Sequence, residues 1–168
     1  MDQWHAVRRG RRHHLQLLLN KLWIDGKPVP ARSGRVYPLI NPADGKTFAK
    51  VSEGGIADID AAVKAAVKAG PVWAKTPPSA RARVLFRLAE LIRENVKRLA
   101  LLETRTAGKP LAEAQGEMAY AADVVEYYAG AVSKHFGETT PVSAPGLHVT
   151  LREPVGVCGL IVPWNFTL

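Results

Sequence analysis

The sequence predicts an α/β fold, and three observations lead to this prediction. Three long stretches repeat apolar residues at helical spacing, and several short strand-like runs lie between turn-forming residues. Residues 155–162 are apolar throughout, which is typical of a strand buried on both faces of a parallel sheet. We therefore expect helices that pack on a sheet.

The composition is that of one ordinary globular domain. The 168 residues are 47% hydrophobic and 23% charged, close to the averages for soluble proteins. No apolar run reaches the roughly 18 residues that a membrane span needs, so we predict a soluble protein without a membrane partner. The single cysteine, Cys158, excludes an internal disulfide and fits a cytoplasmic location.

Residues 1–20 differ from the rest of the chain. Residues 1–14 contain four arginines, which supply part of the net charge of +8. Such a stretch fits a nucleic-acid-binding arm, a targeting segment or a solvated, disordered arm. Because these fourteen residues lack serine and have a poor apolar face, we predict a disordered arm.

Short strands are predicted next. Residues 21–24 run into Asp25-Gly26, a dipeptide typical of hairpin turns. Residues 36–40 run into the turn formers of residues 41–45, and residues 48–51 then form the returning strand. We expect a small β meander at the edge of a larger body.

Three helices follow. The first is predicted over residues 56–69, ending at Gly70-Pro71; the second runs from about Pro78 to about Thr106; the third spans residues 111–136. The residues predicted to face the core are Ile59, Val63, Ala66 and Val67 in the first helix, Leu85, Leu88, Ile92, Val96, Leu99 and Leu102 in the second, and Met118, Ala122, Val125, Ala129 and Val132 in the third.

Two more strands are predicted towards the C-terminal end. Residues 147–153 alternate between apolar and polar side chains, as in a half-exposed strand. Residues 155–162 should form the buried parallel strand, which needs neighbours on both edges. Because the sequence continues only to Leu168, we expect it to be the truncated front of a larger fold.

Several motifs resemble, in the same order, the front portion of NAD(P)-dependent aldehyde dehydrogenases. The most specific pair is REPVGV at 152–157 and LIVPWNF at 160–166, which is similar to the segment around the family's first nucleotide-binding strand. The upstream matches are DGK at 25–27, INPADG at 40–45, ARAR at 80–83, TAGKP at 106–110 and YYAG at 127–130. The resemblance covers residues 21–168 and is strongest to betaine-aldehyde-dehydrogenase-like members.

This resemblance implies the N-terminal part of an aldehyde-dehydrogenase-type cofactor-binding domain. Residues 21–137 would be its helical part, residues 138–154 an oligomerisation strand region, and residues 155–168 the first nucleotide-binding strand with its following turn. The implied cofactor is NAD or NADP and the implied substrate is an aldehyde. A homo-oligomer formed through residues 138–154 is also implied.

The resemblance assigns roles to five residues. Asn165 is similar to the asparagine whose amide N–H helps to bind the oxyanion of the reacting aldehyde, where a neutral donor stabilises developing negative charge. Ile161, Val162, Pro163 and Trp164 are similar to the stretch that lies against the nicotinamide half of the cofactor. Without the surrounding motif, Asn165 would be interpreted as a turn former and Trp164 as a core aromatic.

Two positions depart from the family pattern. Leu39 and Ile40 correspond to residues that help to bind a structural cation in some members, but Thr106 stands where a carboxylate ligand is expected. Hard cations prefer charged oxygen ligands, so we predict no metal site. Thr167 stands where the family usually has proline, which is expected to loosen the approach to the site.

Cys158 is not the predicted nucleophile, although it is the only cysteine. It lies in the predicted buried strand, without a cation or a helix N-terminus to favour its thiolate. The resemblance implies that the nucleophile, the general-base glutamate and the cofactor-binding lysine all lie beyond residue 168. We therefore expect the chain alone to be inactive.

Two other classes of function are kept. The chain is a candidate for a non-catalytic assembly module that associates with full-length relatives through residues 138–154. A basic nucleic-acid binder is suggested by charge alone. That class needs basic residues clustered with aromatic platforms, whereas the helix arginines here alternate with an apolar stripe, so we predict no nucleic-acid partner.

Overall fold

A computed structural model describes residues 21–166. The predicted arm at residues 1–20, and Thr167 with Leu168, lie outside the described residues. The described chain divides into two compact units, one made of residues 21–69 and 105–108 and the other of residues 70–104 and 109–166. Its mixture of helices and short strands confirms the predicted fold class.

The first unit begins with a hairpin. Strand β1 (Leu22–Ile24) pairs antiparallel with β2 (Lys27–Val29) across Asp25 and Gly26, whose φ angles are +53° and +69°. Positive φ at both central residues is the geometry of a type I′ turn, which matches the twist of paired strands. The predicted hairpin turn is confirmed.

A second hairpin follows in the same unit. Strand β3 (Val36–Ile40) pairs antiparallel with β4 (Thr47–Ser52), which confirms both predicted strands. The single meander is wrong, because the two hairpins are separate two-stranded sheets. Pro28 within β2 and Pro30 after it carry no N–H, so the edge of β2 is a poor template for another strand.

Helix α1 extends further than predicted. It spans Ile56–Lys75 and contains Pro71, so the predicted end at Gly70-Pro71 is wrong. A proline has no N–H to donate, which removes one hydrogen bond of the helix, yet the helix continues through Pro71 to Lys75. After Lys75, Thr76 instead donates its hydroxyl to the carbonyl of Val72 at 2.9 Å.

The face of α1 that was predicted to be buried is exposed. Ile59, Val63, Ala66 and Val67 are all exposed, so that prediction is wrong. The buried residue in this helix is Asp58, and no element of the first unit, as far as it is described, covers the apolar stripe. Helical periodicity identifies an apolar face, but burial needs an element packed against it.

Asp58 joins the start of α1 to the loop after β2. One of its carboxylate oxygens accepts the N–H of Gly55 at 2.9 Å, as in a capping box, and the other accepts the N–H of Arg32 at 3.1 Å. These bonds, first that from Gly55, lower the pKa of Asp58 below its ordinary value. The carboxylate therefore connects segments 26 residues apart within the first unit.

We expect Asp58→Asn to lower the thermal unfolding midpoint at neutral pH by roughly 2–4 °C, because one acceptor of a capping interaction is lost. A carboxylate whose pKa is lowered by folding stabilises the fold above its unfolded pKa and loses this effect as the pH falls through the folded value. The difference between variant and parent should therefore shrink below about pH 4. Calorimetry across this range, with exposed Asp60→Asn as control, checks it; a pH-independent difference would contradict it.

The core of the second unit lies between two helices. Helix α2 spans Pro78–Ala107 and helix α3 spans Leu111–Ala131. Two clusters of buried residues join them: Ala89, Ile92 and Ala122 form one, and Ala100, Ala114 and Met118 form the other. The predicted inward faces of both helices are confirmed, except for Leu88, which is exposed. Outside this core, Arg93 of α2 forms ion pairs with Asp123 and Glu126 of α3.

Helix α3 ends earlier than predicted. It stops at Ala131 rather than Phe136, and the N–H of Lys134 bonds the carbonyl of Ala131 at 2.9 Å in a tight turn. This three-residue spacing replaces helical bonding. Beyond the turn, the N–H of Thr150 donates to the carbonyl of Glu138 at 2.8 Å, and the N–H of Glu138 donates to the hydroxyl of Thr150 at 2.8 Å.

The C-terminal strands are shorter than predicted. Strand β5 (Thr139–Thr140) pairs with β6 (His148–Val149), so only two residues of the predicted strand over 147–153 are paired. Residues 155–162 form no strand and are exposed, with Ile161 at 100% relative accessibility. A parallel strand forms only when neighbouring strands bond its backbone, and none within residues 21–166 does so. The predicted buried strand is therefore wrong for this chain.

A membrane span is not found in the described part of the chain. None of the helices within residues 21–166 combines the length and the apolar character needed to cross a bilayer.

Candidate functional site

The residues predicted to contact a cofactor lie in an irregular, exposed segment. Ile161, Val162, Pro163 and Trp164 are exposed, and the chain turns at Trp164 and Asn165. Asn165 is half-buried, and its side-chain amide makes no hydrogen bond with another residue of the described range 21–166. The segment therefore exposes apolar side chains and backbone groups, and the Asn165 amide in it has no hydrogen-bond partner within this range.

Lys109 anchors the end of this segment. Gly108, with φ of +76°, ends α2 in the left-handed conformation that glycine favours, and Lys109 follows directly before α3. The ammonium group of Lys109 donates to the backbone carbonyl of Asn165 at 2.7 Å. It also lies 4.6 Å from the centroid of the Phe166 ring, within the range of a cation–π contact.

Two glutamates hold the ammonium group in place. Glu117 of α3 forms the shorter ion pair with Lys109, and Glu103 of α2 lies 3.4 Å from it. The side chains of Glu103 and Lys109 are only 3% and 13% exposed. The pKa of Lys109 is raised, mainly by the hydrogen bond to Glu117 and further by Glu103, so the lysine remains cationic at neutral pH.

An apolar cavity lies beside this anchor in the second unit. Its volume is about 520 Å³, and it is lined by Leu88 and Ile92 of α2, by Met118 and Val125 of α3, and by Phe166. Phe166 thus contacts the lysine through its ring face and also borders the cavity. The position of the segment that carries Asn165 is set by both features.

Cys158 and the candidate cation residues lie apart from this cluster in sequence. Cys158 is exposed, so its predicted burial is wrong; its thiol lies 3.8 Å from the carbonyl of Gly156. Leu39 and Ile40 are in β3, and the described residues contain no group of three or more acidic, histidine or cysteine side chains that could hold a metal ion. In the same unit the guanidinium of Arg105 lies 4.2 Å from the centroid of the Phe48 ring.

Sequence reasoning did not assign a role to Lys109, Glu103 or Glu117. Lys109 belongs to the TAGKP match at 106–110, which gave the lysine no role of its own. One signal was present in the sequence: Glu103 follows Leu99 and Leu102 on the apolar side of α2. A carboxylate at such a position is rarely buried unless it is paired, so a cationic partner was to be expected.

Comparison with known proteins identifies the family. The model of the aldehyde dehydrogenase family matches residues 29–168. The mitochondrial aldehyde dehydrogenase of Leishmania tarentolae is 41% identical over 156 residues, which cover 92% of this chain and 31% of that protein.

Solved structures agree with this match. The crystal structure of an aldehyde dehydrogenase from Brucella melitensis biovar abortus 2308 has a TM-score of 0.86 at 37% identity and covers 89% of this chain and 31% of its own. Indole-3-acetaldehyde dehydrogenase AldA of P. syringae, solved with NAD+ and IAA, has a TM-score of 0.84 at 35% identity, over 88% of this chain and 30% of its own. The chain thus spans about 30% of the length of such relatives, corresponds to the N-terminal part of their fold, and belongs to the aldehyde dehydrogenase family.

Proposed function

We propose that this chain supplies the front part of an NAD(P)-dependent aldehyde dehydrogenase and that Asn165 is its oxyanion donor. The observation that carries the proposal is the LIVPWNF segment, which ends in a turn. Lys109 holds the backbone carbonyl of Asn165 in this turn, while the side-chain amide of Asn165 makes no hydrogen bond with another residue of the range 21–166. The proposed substrate class is an aldehyde.

In the proposed reaction a thiolate attacks the carbonyl carbon of the aldehyde, and the carbonyl oxygen takes up negative charge. The amide N–H of Asn165 donates a hydrogen bond to that oxygen, which stabilises the charge because the donor is already oriented. Cys158 is not the proposed source of the thiolate, since it lies on an exposed segment only seven residues before Asn165. The nucleophile and the general base are proposed to belong to the family's later motifs.

The proposed cofactor contacts are Ile161, Val162, Pro163 and Trp164. Their exposed apolar side chains and unpaired backbone groups fit a flat nicotinamide ring. The cofactor would supply the hydride acceptor, while these residues would bind and orient it and exclude water from one side. NAD+ is supported by the similarity to AldA, which was solved with NAD+; NADP is the other cofactor proposed.

Assembly is the second candidate function. The β5–β6 hairpin lies in residues 138–154 and carries exposed Leu147 and Leu151 beside it. Exposed apolar residues next to an open strand edge favour pairing with another copy. We propose a cytoplasmic homo-oligomer through this region, with a non-catalytic assembly module as the alternative to the enzyme.

We expect the 168-residue chain on its own to give no aldehyde-dependent formation of NADH or NADPH. The reason is that its only thiol, Cys158, is not the proposed nucleophile, and the nucleophile and general base are proposed to belong to later motifs of the family. Nucleotide reduction is followed by absorbance with several aldehydes. The positive control is a chimera in which residues 21–168 replace the matching segment of the Leishmania tarentolae enzyme. Turnover by the isolated chain that survives Cys158→Ser would contradict the proposal.

A further inference from the structure

The ammonium group of Lys109 lies among three acceptors and beside the Phe166 ring. An ammonium group carries three N–H donors and accepts none. Here it is surrounded by three acceptors from three parts of the second unit: Glu103 of α2, Glu117 of α3 and the backbone carbonyl of Asn165. Glu117 accepts a hydrogen bond from the ammonium group, and Glu103 forms an ion pair with it at 3.4 Å. Both carboxylates hold the group beside the helix pair, so the third donor, which faces Asn165, has a defined direction.

That third donor fixes a peptide group. The carbonyl of Asn165 belongs to the peptide that joins Asn165 to Phe166, and this peptide is planar. A hydrogen bond at 2.7 Å holds one side of it, and the ammonium over the Phe166 ring holds the residue on the other side. With both restraints, rotation of the backbone after Asn165 is limited. The side chain of Asn165 can therefore leave the backbone only in a narrow range of directions.

The low exposure of the cluster makes this restraint strong. Charge-assisted hydrogen bonds are stronger than neutral ones, and they are weakened less by water and salt when the pair is covered. Lys109 and Glu103 are both largely buried, whereas Arg93 and its acidic partners on the same helix pair are mostly exposed. The Lys109 cluster is thus the better shielded of these two ion-pair groups.

We propose that Lys109 is a positioning residue for Asn165: it holds the Asn165–Phe166 peptide against α2 and α3, and so sets the direction of the oxyanion-binding amide. This rests on the proposed role of Asn165 as the oxyanion donor. A donor contributes to catalysis only when it is already aimed at the developing charge, and small displacements are costly.

The anchor itself is tested by lysine acylation of the chimera, read by mass spectrometry without any turnover. Lys109 should be acylated at least tenfold more slowly than Lys97, an exposed lysine of α2 in the same molecule. Glu117→Gln should raise the rate at Lys109 and leave that at Lys97 unchanged. Equal rates at Lys109 and Lys97 in the parent would overturn the anchor.

The positioning role is tested by a double-mutant cycle on kcat in the same chimera. Lys109→Met keeps the methylenes but removes the charge, and we expect kcat to fall by roughly ten- to a hundredfold with KM within about twofold. In an Asn165→Ala background the same change should have almost no further effect, because Lys109 acts through Asn165. Lys97→Met is the matched control and should match the parent.

The possible outcomes separate the two proposals. If the losses from Lys109→Met and Asn165→Ala multiply, Lys109 acts only on stability and its positioning role is overturned. If Lys109→Met does not fold, the cycle is run with Glu117→Gln, where a loss that disappears in the Asn165→Ala background supports the role and a multiplying loss opposes it. If Asn165→Ala alone leaves kcat unchanged, the oxyanion proposal fails, and slow acylation of Lys109 still establishes the anchor.

Discussion

Replacing Asn165 by alanine in the chimera is expected to lower kcat by roughly 10²–10³, the usual cost of removing one oxyanion donor. The loss should appear mainly in kcat, because the donor acts on charge that develops during the reaction. KM for the aldehyde should change little, since the uncharged carbonyl gains less from the same hydrogen bond. Steady-state kinetics with a saturating cofactor measures both constants.

Cys158→Ala is the control for this experiment. Its thiol is exposed and lies 3.8 Å from the carbonyl of Gly156, so kcat should stay nearly unchanged. A large loss for Cys158→Ala together with no loss for Asn165→Ala would reverse both assignments. Circular dichroism of both variants distinguishes lost chemistry from lost structure.

The second large effect concerns the mass of the isolated chain in solution. Val155, Leu160 and Ile161 are 95%, 87% and 100% exposed, and Trp164 follows close behind. Residues 155–162 pair with no strand of the described residues 21–166, and an apolar segment without strand partners is a template for strand pairing between copies. We expect soluble oligomers or aggregates in place of a stable monomer, as measured by size-exclusion chromatography with light scattering.

A pair of matched variants tests the cause. Ile161→Lys introduces a charge into the unpaired segment and should shift the population towards the monomer. Ile56→Lys makes the same change at another highly exposed isoleucine, at the start of α1, and should leave the mass distribution unchanged. A monodisperse parent at the monomer mass that unfolds cooperatively would contradict the prediction.

Local features were the ones that sequence reasoning predicted well. The Asp25-Gly26 turn was predicted because it depends only on the φ angles that two adjacent residues tolerate. The apolar stripes of α2 and α3 were predicted because these two helices cover each other. The family also followed from short colinear motifs, of which the segment around Asn165 was the most specific.

Features that depend on distant residues were not predicted. The apolar pattern of residues 155–162 is typical of a buried strand, but burial of a strand needs neighbouring strands, and the described chain supplies none for this segment. The stripe on α1 was misjudged for the same reason. Lys109 and Asn165 are 56 residues apart, and no periodicity in the sequence predicts a contact between residues at that distance. The predicted role of Asn165 therefore came from the family motif, and the anchor came only from the structure.

The small residues between α2 and α3 constrain how this part of the chain can vary in evolution. Ala89, Ala100, Ala114 and Ala122 are buried where the two helices meet. A larger side chain would push the helices apart, at a typical cost of about 1–3 kcal/mol, and glycine would cost about 1 kcal/mol of helix propensity. The size of each side chain is thus limited in both directions, because a larger one does not fit between the helices and glycine weakens the helix. We expect these four positions to keep small residues in family members, whichever aldehyde each member oxidises. Variation at these positions should therefore follow the distance between α2 and α3 and not the choice of substrate.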